Sequence, residues 1–207
     1  MFALRNLYKR LIARFLATHD DAYDASIAPR KQTLFAGLAG DVLEIGPGGG
    51  PNLRYLAANV RWIGVEPNPY MHPYLRAEAK RRGIPVDLRL GNADALPAAD
   101  NSLDAVISTL VLCSVPDPAR ALAEVRRVLK PGGKFVFMEH VAAAPGTSLR
   151  RWQDWLRPVW QTLGDGCHPN RETWQTIADA GFDRVRIEHF AASVPVVRPH
   201  IAGVAVK

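Results

Sequence analysis

From residue 41 to residue 141, short apolar runs alternate with stretches whose apolar positions recur every three or four residues. The first pattern marks buried strands and the second amphipathic helices. "DVLEIG" (41–46) reads as a buried strand, followed by a glycine-rich turn and by Pro51, which suits the first turn of a helix. "RWIGVEP" (61–67) is a second strand, and "PYLRAEAKRRG" (73–83) is a helix ended by Gly83. "IPVDLRLGNA" (84–93) is a third strand. "SLDAVISTLVLCSV" (102–115) contains a fourth, apolar enough for the centre of a sheet. "PARALAEVRRVLKPGG" (118–133) is an amphipathic helix stopped by Pro131 and two glycines, and "KFVFMEHV" (134–141) is a fifth strand. Strands alternating with helices predict an α/β fold, a mainly parallel sheet with helices on both faces.

From 147 the rhythm changes. "SLRRWQDWLRPVWQTLGDGCHPN" (148–170) is Trp-rich and helical, with a break expected at Pro158. "RETWQTIADAGF" is another helix, "DRVRIEHF" a strand, and "RPHIAGVAVK" a last strand. No repeat, low-complexity segment or dividing linker interrupts the chain, so residues 1–207 are read as one domain. Within it, 1–30 form an N-terminal cap or lid, 31–146 a ligand-binding core, and 147–207 the remaining helices and final strands.

The cap segment has its own pattern. Leu4, Leu7, Tyr8, Leu11, Ile12, Phe15 and Leu16 share one helical arc, flanked by Arg5, Lys9, Arg10 and Arg14. So many charges exclude a membrane span. The arc suits a helix that lids the domain, or one lying on an anionic membrane surface through residues 1–18.

Composition adds limits. A hydrophobic fraction of 48% with 22% charged residues is that of a folded globular protein. The net charge of +6 comes from scattered basic residues, which does not point to nucleic acid as a partner. Two cysteines, Cys113 and Cys167, make no disulfide framework and point to a reducing cytoplasm. Neither belongs to a CxxC pair, so no metal site is expected.

The candidate chemistry centres on Glu44, Gly46, Gly48 and Gly50. Glycines between a strand and a helix let a ligand approach the backbone at the carboxyl edge of an open sheet. A phosphate would be repelled by Glu44, whereas a ligand carrying sulfonium and ammonium groups, such as S-adenosylmethionine, would be favoured. Glu66, twenty residues after Gly46, stands at a strand end where a carboxylate can accept both ribose hydroxyls. A nicotinamide oxidoreductase would account for the glycines and Glu66 but not for Glu44 or "RRVLKPGG". A cofactor-binding module without activity differs only in forming no S-adenosylhomocysteine.

Together "VLEIGPGGG", "WIGVEPNP", "GNADALPAADNSLDAVIS" and "VRRVLKPGGKFVFMEH" resemble the class I S-adenosylmethionine-dependent methyltransferases, over about residues 30–207. The resemblance implies a Rossmann-like, seven-stranded sheet whose last strand inserts antiparallel. It implies that Gly46, Gly48 and Gly50 pass close to the methionine part, with Glu66 on the ribose and Asn92 and Ala93 beside the adenine. Many relatives carry Asp where this chain has Asn92. Thr109 and Leu110 would lie beside the methionine moiety. "LVLCSV", "FMEHVAA", "GDGC", "RETW" and "RPHIAGVAVK" resemble a narrower group, the alkyl-thiol S-methyltransferases, whose mammalian members are membrane-associated. That implies a small, apolar thiol acceptor; oxygen, nitrogen or carbon acceptors on quinones, phenols, amines or lipids are the alternative.

A free thiol with a pKa of about 8.5 is mostly protonated at neutral pH, so a positioned base would help. His140 follows the fifth strand, and Asp165 sits in a glycine-punctuated loop after the Trp-rich helix; Asp165 orienting His140 as the base is the candidate catalytic pair. Cys167 reads as a small buried residue and His168 as a loop residue. Trp152, Trp155, Trp160 and Trp174 are core aromatics or the walls of an apolar acceptor pocket.

Overall fold

The computed structural model describes residues 2–18 and 21–207; the side chains of 2–5, 16–18, 21 and 22 are outside that description. Leu4 and Leu16 of the predicted arc, and the flanking Arg5, therefore lie outside the described side chains.

Two helices come first, α1 (Phe2–Thr18) and α2 (Asp21–Phe35). The alternating core follows: β1 (Gly40–Ile45), a 3-10 turn (Pro51–Tyr55), β2 (Val60–Val65), α3 (His72–Arg82), β3 (Asp87–Arg89), β4 (Leu103–Thr109), α4 (Pro118–Val128) and β5 (Leu129–His140). The chain ends with α5 (Ser148–Leu163), α6 (Thr173–Ala178), β6 (Arg184–Ala191) and β7 (Pro199–Val206). One sheet of seven strands has the order β3-β2-β1-β4-β5-β7-β6. β1 to β5 pair in parallel, while β7 lies antiparallel between β5 and β6.

Local chemistry accounts for the boundaries. Asp117 caps α4 by accepting from the Arg120 N–H at 3.0 Å, with Pro118 in the first turn. The helix buries Ala121, Leu122, Val125 and Val128, a single stripe, against the sheet. Gly83 ends α3 at φ 68°. The helix expected after Pro51 is only a short 3-10 turn. The break expected at Pro158 is absent, since α5 runs through it. Pro158 lies on the exposed face of α5, where water can serve the carbonyl left without its donor.

Strand order reverses between β1 and β4. Their carboxyl ends open a crevice there, the usual ligand position in an open α/β sheet. Gly46, Glu66, Leu110 and His140 follow or end β1, β2, β4 and β5, so all four arrive at this one edge.

Candidate functional site

Two cavities meet at that edge. The larger, about 930 Å³, reaches from the glycine turn and Glu66 past Asn92 and Ala93 to Cys113, His140, Asp165 and Cys167. The smaller, about 370 Å³, has a polar wall that includes Asp24, Lys31, Glu44, Asn52 and Thr109. Gly46, Gly48 and Leu110 border both.

The three glycines do different work. Gly46 and Gly48 have φ of 59° and 54°, in the region that strains any residue with a Cβ. A Cβ on Gly48 would meet nothing within 4 Å, which leaves open space over the backbone. One on Gly46 would press Val111 at 2.8 Å. Gly50 borders neither cavity; its missing side chain makes room for Leu53 and Leu75. The third glycine, expected at the ligand, serves packing instead.

Glu66 is 6% exposed, and each oxygen already accepts one backbone N–H: Gly48 to Oε2 at 3.0 Å and Asn68 to Oε1 at 2.8 Å. Burial raises its pKa, opposed by these two bonds. A carboxylate has about four acceptor sites, so two remain for a diol. The same bonds brace the glycine turn against the end of β2, so Glu66 shapes the site as well as lining it.

Glu44 differs from the sequence expectation. Its carboxylate does not stand free beside the turn as the direct partner of a cation; it accepts from Asn52 Nδ2 at 2.7 Å and Trp62 Nε1 at 3.0 Å. Burial raises its pKa, and these bonds oppose the rise. Asn52 also donates to Thr109 Oγ1 at 3.1 Å, while its own Oδ1 is buried without a partner. Asn52 and Glu44 therefore share one wall of the smaller cavity, where the carboxylate is already partnered and the Asn52 Oδ1 is the acceptor left over. Asn52 carried no motif signal, and only the fold reveals it. These features fit S-adenosylmethionine: open space over Gly48, spare acceptors on Glu66, and an orphaned Asn52 oxygen suited to an ammonium donor.

On the opposite wall the expected pair is not formed. His140 Nε2 lies 3.0 Å from Cys167 Sγ, and His140 Nδ1 is buried without a partner, so Asp165 does not orient the imidazole. The reason is the turn at Gly166 (φ 87°), which carries Cys167 inward and leaves Asp165 nearer the cofactor side. There its charge adds to the upward shift of Glu66. Cys167 Sγ is 3.7 Å from Cys113 Sγ and accepts from Trp160 Nε1 at 3.3 Å. The bond shared with Cys113, then the imidazole, hold the Cys167 thiol low, while Cys113 is pushed up. His168 is a loop residue, its Nδ1 on the Cys113 carbonyl at 3.2 Å.

The tryptophans divide. Trp160 walls the large cavity and Trp174 packs against the core, whereas Trp152 and Trp155 are exposed, the latter by 70%. From α1, Ile12 and Phe15 line the cavity while Leu7 and Leu11 are exposed. Tyr8 ties α1 to α5 by donating to the Thr162 carbonyl at 2.6 Å and accepting from the Asp165 N–H at 3.1 Å.

An open sheet with one inserted antiparallel strand, a glycine turn at its switch point and a carboxylate after the second strand defines a Rossmann-like methyltransferase. Residues 43–137 match the "Methyltransferase domain" family model. Human thiol S-methyltransferase TMT1A is 38% identical over 96% of this chain and 87% of its own length. Rat thiol S-methyltransferase TMT1B is 40% identical over 80% of this chain and 70% of its own. In fold, the chain is similar to a methyltransferase structure from Thermotoga maritima described as a possible histamine N-methyltransferase (TM-score 0.66, 21% identity, all of both chains covered). The chain belongs to the S-adenosylmethionine-dependent methyltransferases, within the family that includes these thiol S-methyltransferases. Its cofactor is S-adenosylmethionine.

Proposed function

We propose that this methyltransferase places the methyl group on the sulfur of a small apolar thiol. The observation that carries the reading is the large cavity. It joins the cofactor groups to a chamber with Ile12, Phe15, Leu156 and Trp160 in its wall and sulfur and imidazole groups at its end. Such a chamber suits an apolar molecule with one polar reacting atom. The likeness to a thiol S-methyltransferase extends over 96% of the chain, and the apolar wall of the chamber comes from α1 and α5.

When bound, S-adenosylmethionine supplies a methyl carbon activated by its sulfonium. Gly46, Gly48 and Leu110 let it approach the backbone, Glu66 holds the ribose diol, and Asn92 and Ala93 border the adenine. Asn52, steadied by Glu44 and Thr109, receives the methionine ammonium. The apolar wall orients the thiol and excludes water. Alignment of this kind reaches effective molarities of about 10⁵–10⁸ M in well-oriented systems. The acceptor sulfur loses its proton near His140, Cys113 and Cys167, while Asp165 stands between this end and the cofactor. The new bond joins sulfur to the methyl carbon, and the sulfonium carbon–sulfur bond breaks to leave S-adenosylhomocysteine.

Helix α1 acts as the lid, since Ile12 and Phe15 wall the cavity and Tyr8 latches the helix to α5. A peripheral membrane contact is the second reading. It is favoured by the exposed Leu7 and Leu11 on α1 and Trp152 and Trp155 on α5. Among the described residues, no helix is long and apolar enough to cross a membrane.

An acceptor screen with labelled cofactor tests the proposal, comparing aliphatic thiols, phenols, amines and quinones. Aliphatic thiols should give the highest kcat/KM. A preference for phenols, amines or quinones over every thiol would overturn it.

A further inference from the structure

We infer that Cys113, His140 and Cys167 form a binding site for a soft divalent cation, zinc foremost, with its fourth coordination position open to the acceptor cavity.

The three ligands come from three segments: the turn after β4, the end of β5 and the Gly166 turn after α5. All are buried, and all line the large cavity. Their ligand atoms lie within 4.8 Å of one another, with Sγ–Sγ at 3.7 Å and Nε2–Sγ at 3.0 Å. A tetrahedral zinc with Zn–S of about 2.3 Å and Zn–N of about 2.0–2.1 Å separates its sulfurs by about 3.7 Å and sulfur from nitrogen by about 3.5 Å. The sulfurs are already at that spacing, and binding would require the imidazole to shift until Nε2 stands about 3.5 Å from both of them.

Charge favours the same ion. Two thiolates and a neutral imidazole cancel the dication, so the buried site carries no net charge. The thiols are free rather than joined in a disulfide. Trp160 Nε1 donates to Cys167 Sγ, and Ser114 Oγ lies 3.6 Å from Cys113 Sγ, so each sulfur has a polar neighbour beyond the metal position. Thiolate and imidazole ligands select zinc over magnesium or calcium. Three protein ligands with one open position is the arrangement of catalytic rather than structural zinc. The absence of a CxxC pair argued against a zinc site. That argument concerns ligands close in sequence, and here the sheet edge assembles them.

A consequence follows that rests on the thiol reading above. An acceptor thiol entering the open position would bind as thiolate, its proton passing to water. Its sulfur would then attack the methyl carbon as the sulfonium carbon–sulfur bond breaks to leave S-adenosylhomocysteine, and the thioether product, a poorer ligand, would leave.

The test uses the full chain, reduced and stripped of metal by a chelator. Titration with zinc against a chromophoric competitor should show one equivalent bound. Cobalt should give visible ligand-field bands and a thiolate charge-transfer band. Cys113→Ser, Cys167→Ser and His140→Ala should each weaken zinc binding by about a hundredfold or more, while His189→Ala leaves it unchanged. S-adenosylhomocysteine titration reports whether each variant is folded. Should a variant not fold, the parent still decides: zinc should protect both thiols from maleimide. Unprotected thiols, or less than one equivalent bound, would overturn the site. Cobalt bands that shift on addition of an alkyl thiol support the catalytic consequence. Full thiol turnover by metal-free protein overturns that consequence but leaves the thiol reading standing. Zinc bound without turnover of any thiol leaves the site standing and removes the thiol reading.

Discussion

Replacing Glu66 by Ala removes a carboxylate whose two oxygens each accept one backbone N–H and, in the cofactor pose proposed above, would each accept one ribose hydroxyl. A hydrogen bond to a charged group contributes about 1.5–3 kcal/mol. Two of them set an upper bound of about 6 kcal/mol, which water entering the vacated space reduces to about 2–4 kcal/mol. At about 1.4 kcal/mol per factor of ten, S-adenosylhomocysteine should bind about 30- to 1,000-fold more weakly in a calorimetric titration. Glu66→Gln is no milder a change, because both oxygens face N–H donors and an amide would set its NH₂ against one of them. Loss of the Gly48 and Asn68 bonds also loosens the turn, so weakening alone does not prove a ribose contact. A cycle with S-adenosylhomocysteine lacking one ribose hydroxyl separates the two effects. The parent should lose about tenfold for the missing hydroxyl and Glu66→Ala almost nothing. Equal losses in both proteins would refute the ribose assignment, whatever the fall in affinity.

Other substitutions probe the rest of the site. Gly48→Ala forces a Cβ at φ 54°, at about 1–2 kcal/mol, and fills the open space; S-adenosylhomocysteine affinity should drop more than tenfold, beyond the fall of about 2–8 °C in melting temperature that the strain alone causes. Gly50→Ala crowds Leu53 at 3.1 Å, so it should lower the melting temperature more than the affinity; the reverse would place Gly50 at the ligand. Deleting residues 1–18 should raise the acceptor KM several-fold in lipid-free solution; loss of anionic liposome binding with unchanged kinetics would favour the membrane reading instead. Burial raises the pKa of Glu44 above its ordinary 4.5, so the folded state holds that proton more tightly than the unfolded chain. The parent should therefore gain stability relative to Glu44→Gln as pH falls from 7.5 to 4.5, checked by urea unfolding at both values; a difference independent of pH would refute the assignment.

The sequence by itself determined the alternation of strands and helices in the core and the α/β class, though not α2, and it put the glycine turn and Glu66 at strand ends on one sheet edge. Strands buried on both faces read as unbroken apolar runs, and Gly46, Gly48 and Glu66 carry their signal within a few residues of strand ends. Even the antiparallel last strand was legible through the family resemblance of "HIAGVAVK". Tertiary structure decided what depends on contacts between distant segments. Glu44 at the end of β1 and Asn52, eight residues on, are joined by a turn whose path no periodicity reveals, so the partnering of the carboxylate by Asn52 and Trp62 emerged only from the fold. The continuity of α5 through Pro158 depended on which face was solvated. His140 took Cys167, and not Asp165, as its partner because the left-handed Gly166 reverses the side on which neighbouring residues project. Cys113 and Cys167, fifty-four residues apart, face each other only because β4 and β5 are adjacent in the sheet and the loop after α5 folds back over their ends.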